Sequence, residues 1–140
     1  MKVSILSQRQ AEDLVLDGQL AVVSITDIQR PNVNLRIASQ QVVLKRVSFN
    51  DWAWSEEMIR QEATDQLHDL CRWIEKHKHY PHFVIHCWAG ISRSAAVALY
   101  LAEMYGADVQ GGFKFKSPNI HVLNIMRYYK RYTMDKKENL

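Results

Sequence analysis

An apolar run, Phe83-Val84-Ile85, leads into His86-Cys87-Trp88-Ala89-Gly90-Ile91-Ser92-Arg93-Ser94, and a longer apolar segment from Ala95 to Tyr105 leads out. That order spells a strand, a tight loop and the start of a helix. A loop feeding a helix N-terminus gathers several unpaired backbone N–H groups in one place, with the positive end of the helix dipole behind them. The field that attracts an oxyanion there also favours a thiolate over a thiol at Cys87. Arg93 adds a planar fork of donors suited to two oxygens of one phosphate group. The segment therefore places a nucleophilic sulfur inside an anion-binding cup, and phosphate is the anion that fits it best.

Around this segment, strand-like and helix-like stretches alternate. Val3-Ser4-Ile5 reads as a short edge strand. Ser7 and Gln10 have capping-box spacing ahead of a short helix carrying Ala11, Leu14 and Val15, with Gly18 to end it. Leu20 to Ile25 is almost continuously apolar, as a strand buried on both faces would be. Asp27 to Gln41 is a polar connection with a turn at Pro31 and room for one more short strand, and Val42 to Phe49 is a further strand. Ser55 is placed to cap a helix with Glu56 and Glu57 in its first turn, running to about His77. Its inward stripe is Ile59, Ala63, Leu67, Leu70 and Ile74. Pro81 closes that helix, and Ser117-Pro118 opens a last one with Val122, Ile125, Met126 and Tyr129 on its buried side. The pattern predicts a single α/β domain over residues 1–140, with a mainly parallel central sheet flanked by helices.

Bulk properties suit a small enzyme. The chain is long enough for a real core, and a net charge of +3 is too small to argue for nucleic acid. Arg127, Lys130, Arg131, Lys136 and Lys137 make the C-terminal end basic, read here as a solvated helix face and a frayed tail. No apolar run approaches the roughly 18 residues a membrane span needs, and Met1 to Leu6 is too short for a secretory signal core. Two cysteines, one of them needed as a free thiol, point to a reducing cytoplasm rather than a disulfide scaffold.

His86-Cys87-x-x-Gly90-x-x-Arg93-Ser94 resembles the active-site loop of the cysteine-dependent protein tyrosine and dual-specificity phosphatases. Ala89-Gly90-Ile91-Ser92-Arg93-Ser94-Ala95 is especially similar to the small dual-specificity branch. The likeness extends over most of the chain and implies that family's fold, a phosphomonoester hydrolase acting on phosphotyrosine-containing proteins or peptides, and no cofactor or metal. Cys87 would attack phosphorus and form a phospho-cysteine intermediate. The N–H groups of Trp88, Ala89, Gly90, Ile91, Ser92 and Arg93 would cradle the phosphoryl oxygens, with Gly90 supplying the dihedral freedom. Arg93 would stabilise the transition state, and Ser94, alternatively a helix cap, would donate to the Cys87 sulfur. By resemblance, His86 fixes the loop backbone through hydrogen bonds.

Hydrolysis also needs a proton donor on a separate loop. Asp51, in Phe49-Asn50-Asp51-Trp52 just after a strand, is the leading candidate, and its placement resembles the family's acid loop. It lacks the Trp-Pro-Asp form of the larger tyrosine-specific enzymes, since Trp52 follows the acid. Asp27 also follows a strand, and Glu56 and Glu57 are further rivals that a first helical turn already explains. Pro118-Asn119 resembles a Pro-Asn pair that braces the loop in dual-specificity phosphatases, although Phe115-Lys116-Ser117 stand where the family often has an arginine and a small residue. Asn119 reads equally well as an ordinary first-turn helix residue.

Other features have plainer readings. His77, His79, His82 and His86 match no standard zinc spacing. Cys71 reads as a small buried apolar residue, with an oxidative disulfide to Cys87 as the alternative. The uncharged loop positions disfavour phosphoinositides, and a weakly basic surface disfavours RNA. Two other classes stay open: a phosphate-binding module without turnover, and a thiol redox or sulfurtransferase-type enzyme, since rhodaneses and arsenate reductases also carry Cys-x5-Arg.

Overall fold

The apolar runs around Val22 and Val84 become neighbouring strands at the centre of a five-stranded, wholly parallel sheet in the computed structural model, which describes residues 1–138 and their side chains through Lys136. In chain order the elements are β1 (Lys2–Ser7), α1 (Gln8–Asp13), β2 (Val15–Leu16), β3 (Leu20–Thr26), β4 (Arg36–Ile37), β5 (Val43–Ser48), α2 (Glu56–His77), β6 (His82–Cys87), α3 (Arg93–Tyr105), β7 (Asp108–Val109) and α4 (Ile120–Tyr129). A π-helical stretch (Lys130–Met134) and α5 (Asp135–Glu138) complete them. The strand order is β5-β3-β6-β1-β7, and β2 pairs with β4 in a separate two-stranded ribbon.

Alternation along the strands decides which way each side chain faces. Ala21, Val23 and Ile25 of β3 and Phe83, Ile85 and Cys87 of β6 belong to the main core, together with Leu67 and Leu70 of α2, Val97 and Leu101 of α3 and Met126 of α4. The odd-numbered positions thus face the three long helices. Val22 and Val84 face the other way, into a smaller cluster with Leu16. His86 shares that face, opposite to Cys87.

Several sequence expectations meet the structure here. Ser55 accepts from the Met58 N–H and caps α2, whose buried stripe is the expected one plus Cys71. Ser7 and Gln10 form both bonds of the capping box. However, α1 stops at Asp13, so Leu14 and Val15 are exposed and Gly18 bends the turn before β3 instead of ending the helix. The expected edge strand at Val3 lies inside the sheet, because the two-residue β7 pairs with Lys2 and Val3 and takes the edge. The last helix begins at Ile120 rather than Ser117, with Asn119 as its N-cap.

The basic C-terminal residues are not a uniformly solvated face. Lys130 is buried and pairs with Asp135 and Glu75, and Arg127 pairs with Glu103. The Lys137 side chain lies outside the described residues. Among the described residues, no helix is long and apolar enough to cross a membrane.

Leu67 is fully buried where α2 meets the sheet. Leu67→Ala is expected to lower unfolding free energy by about 2–5 kcal/mol, read from urea denaturation. A loss below about 1 kcal/mol would contradict its place in the core.

Candidate active site

Parallel strands end on the same side of a sheet, and the loops leaving those ends form a crevice. Here β3, β5 and β6 deliver Asp27, Asp51 and the 87–93 loop to one cleft of about 370 Å³, lined by both aspartates, Cys87, Trp88, Ala89, Ile91, Ser92 and Arg93.

The loop is seated on β1. Ser7 lies opposite Cys87 in the parallel register, and the Gln8 N–H donates to the Trp88 carbonyl at 3.1 Å. Gly90 turns here with φ +70, and a Cβ on it would sit 2.7 Å from the Leu6 carbonyl carbon and the Ser7 nitrogen. The glycine is therefore needed twice, for its dihedral and for the backbone pressed against it. From the far side, Lys116 Nζ donates to the Gly90 carbonyl at 2.6 Å, and the Ser117 N–H to the Ile91 carbonyl at 3.0 Å.

At the floor of the cleft, Cys87 Sγ and Ser94 Oγ are 3.0 Å apart. Ser94 lies within α3, so its alternative reading as the helix cap does not apply. Ser92 holds the N-cap position yet makes no capping bond. Its hydroxyl donates instead to Asp51 Oδ1 at 2.9 Å. The first N–H groups of α3 consequently have no side-chain acceptor at the cap, which suits them to an anion.

Arg93 is 3% exposed. Its Nη1 donates to the Phe49 carbonyl at 2.6 Å, and its Nη2 pairs with Asp27 Oδ1 at 2.8 Å. Its Nε has no partner among the described residues, so the fork is held at two corners with a donor to spare.

Asp51 is tied as closely. Besides Ser92, Asn119 Nδ2 donates to the same Oδ1 at 2.7 Å, while the Asn119 N–H donates to the Ser92 carbonyl at 3.1 Å. Asn119 Oδ1 in turn accepts from the His121 and Val122 N–H groups. Bracing and helix capping, posed as alternatives for Asn119, are carried by different atoms of one side chain. On the opposite flank, Glu62 of α2 accepts from the Asn50 N–H at 2.6 Å and from Trp52 Nε1 at 2.7 Å, gripping the residues on either side of Asp51.

The remaining candidates lie elsewhere. The His86 ring points away from Cys87 and pairs through Nε2 with Ser24 Oγ of β3 at 2.6 Å. Burial lowers its pKa, offset in part by the Cys87 backbone. Through Ser24 the His86 ring also joins the strand that carries the cysteine to its neighbour. Glu56 bonds Arg60 and Glu57 bonds Gln61 along α2, and neither lines the cleft. His77, His79 and His82 are separately engaged with Trp73, Tyr80 and Ser4. Cys71 is buried and free, with its thiol pushed up to about 12 by desolvation.

Sequence reasoning did not find Glu62, the Lys116 bond or the role of Asp27 beside Arg93. Asp27 alone carried a usable signal, since it follows β3 as Asp51 follows β5.

Gly90→Ala should lower the unfolding midpoint and abolish vanadate binding, because the methyl group must displace either the loop or β1. Vanadate affinity unchanged in that variant would show that the loop is not held by this contact.

No curated protein sequence matches the chain. Among solved structures, human DUSP28 superposes with a TM-score of 0.54 at 19% identity, covering 96% of this chain and 94% of that one. A structure described as PTPMT1 in complex with PI(5)P gives a TM-score of 0.54 at 20% identity, also with 96% and 94% coverage. Residues 8–139 match the protein-tyrosine phosphatase family. With that match, and with the cysteine, arginine and aspartate loops arranged on the shared fold, the chain belongs to the protein-tyrosine phosphatase family.

Proposed function

We propose that this phosphatase hydrolyses phosphomonoesters on tyrosine-containing proteins or peptides through a phospho-cysteine intermediate, with Cys87 as nucleophile, Arg93 as phosphoryl clamp and Asp51 as proton donor. The observation that carries this reading is the meeting of all three side chains in one cleft whose loop ends at a helix N-terminus. Family membership supplies the reaction class; the residue roles and the substrate are our reading.

In the first displacement, Cys87 Sγ forms a bond to phosphorus as the ester P–O bond breaks. Asp51 gives its proton to the departing oxygen. Loop N–H groups, with Nε and Nη2 of Arg93, take the charge spread over the three other oxygens. In the second displacement, Asp51 takes a proton from water as the water oxygen bonds to phosphorus. The S–P bond breaks, inorganic phosphate forms and Ser94 donates a hydrogen bond to the departing thiolate. The 3.0 Å separation of Ser94 Oγ and Sγ suits that last role.

Asp51 is preferred to Asp27 because of what each carboxylate faces. Asp27 is the counter-ion of buried Arg93, and protonating it would cost that ion pair. Asp51 accepts from a hydroxyl and an amide on one oxygen, which leaves Oδ2 to carry the proton. Both cysteines are free, which accords with a reducing cytoplasmic setting for a thiolate enzyme. Dual specificity is an extension of the same reading, resting on the resemblance of Ala89-Gly90-Ile91-Ser92-Arg93-Ser94-Ala95 to the small dual-specificity branch.

Cys87→Ser is expected to abolish turnover of both a phosphotyrosine peptide and a chromogenic aryl phosphate. Asp51→Asn should slow the peptide by about 10²-fold or more, with a far smaller loss on the aryl phosphate, whose leaving group departs without a proton. Pre-steady-state kinetics on the two substrates reads the difference. Equal losses would take Asp51 out of the acid role and pass it to Asp27. Tight vanadate binding without wild-type turnover would leave a phosphate-binding module.

A further inference from the structure

The chemistry above uses only the backbone N–H of Trp88. Trp88 nonetheless lines the cleft beside Cys87 and is 51% exposed. The same side chain lines a neighbouring depression of about 190 Å³, shared with Gln8, Arg9, Glu12 and Asp13, so it stands as a ridge between the two. A large aromatic half open to solvent inside an anion-binding loop contributes little to the core.

The ring is held from one side. The Arg30 guanidinium lies over it, 5.1 Å from its centroid, within cation–π range. Arg30 is itself anchored, since its N–H donates to the Asp27 carbonyl at 3.0 Å and the Ile28 N–H donates to Asn50 Oδ1 at 3.1 Å. The turn from Asp27 to Arg30 thus presents the counter-ion of Arg93 at one end and the cation on the Trp88 ring at the other.

We propose that the Trp88 side chain, positioned by Arg30, is the wall that selects an aryl over an alkyl phosphomonoester, so that the cleft prefers phosphotyrosine to phosphoserine. The proposal rests on the phosphatase reading and deepens it. Phosphotyrosine carries a flat ring directly behind the phosphoryl group, and an indole at the mouth of the same cleft offers it an offset or edge-to-face contact. Phosphoserine presents one methylene there and gains almost nothing from the indole. Arg30 occupies one face of the ring, reducing its motion and so the ordering cost of stacking a substrate.

The test uses one peptide in phosphotyrosine and phosphoserine forms, titrated calorimetrically against the Cys87→Ser protein, whose binding can be read without turnover. The quantity is the ratio of the two affinities. Adding Trp88→Ala should cut the preference for phosphotyrosine about tenfold. Trp88→Phe should restore most of it, and Arg30→Ala should cut it about threefold. Ratios of kcat/KM on the same peptides, measured with Cys87 in place, should move in parallel.

A merely structural role for Trp88 would weaken both peptides together, and an unchanged ratio overturns the proposal. A ratio that responds to Trp88→Ala in a protein with no wild-type turnover would uphold the aryl wall and sink the phosphatase reading. Normal turnover with an unresponsive ratio does the reverse. Failure to bind either peptide overturns both.

Discussion

Gly90 packs so closely on the Leu6–Ser7 backbone that a single methyl group would overlap it. That contact fixes the height of the whole 87–93 loop above the sheet. The register sets Ser7 opposite Cys87, so the strand that seats the loop is also paired with the strand that delivers the cysteine. From there α3 departs at Arg93, and Ser94 is carried back to within 3.0 Å of Sγ. The two-residue β7 reaches only Lys2 and Val3, so the seat at Leu6 and Ser7 is held by the pairing of β1 with β6.

Charge balance is the second constraint. A guanidinium as buried as that of Arg93 is costly unless paired and hydrogen-bonded. Asp27 and the Phe49 carbonyl supply those partners. A phosphoryl group would arrive with its own negative charge beside Asp27, so the arginine must hold two anions or exchange one for the other. Asp27 is 30% exposed at its side chain, which leaves it water to turn toward.

The legible parts of the fold were those set by short-range patterns. The α2 stripe, its Ser55 cap and the Ser7–Gln10 box are read from spacings of three and four residues. The Cys87–Arg93 loop carries its chemistry within one contiguous segment. What stayed hidden depends on topology. Whether Val3 sits at an edge depends on where β7 docks, more than a hundred positions later in the chain. Glu62 looks like any exposed helix carboxylate until α2 is laid beside the 50–52 loop. Lys130 reads as solvated until the π-helical stretch brings it to Glu75 and Asp135. His86, one residue from Cys87, reads as part of the loop. Strand alternation sends its ring to the opposite face.

Asn119 shows why stability and chemistry cannot be separated at this site. Its carbonyl oxygen caps α4, its amide holds Asp51, and its backbone N–H holds Ser92. Ser92 in turn spends its hydroxyl on Asp51 instead of on its own helix. The chain therefore gives up one cap to position the Asp51 carboxylate and leave a helix N-terminus open, and secures that carboxylate with a residue that caps the next helix. A cap is worth about 1 kcal/mol, a modest sacrifice for a loop that must present unpaired N–H groups to an anion. The same bonds tie the 51 loop to the 92 loop in the absence of substrate. Asp51 is thus placed by the fold itself, held to Ser92 and Asn119 by bonds internal to the protein.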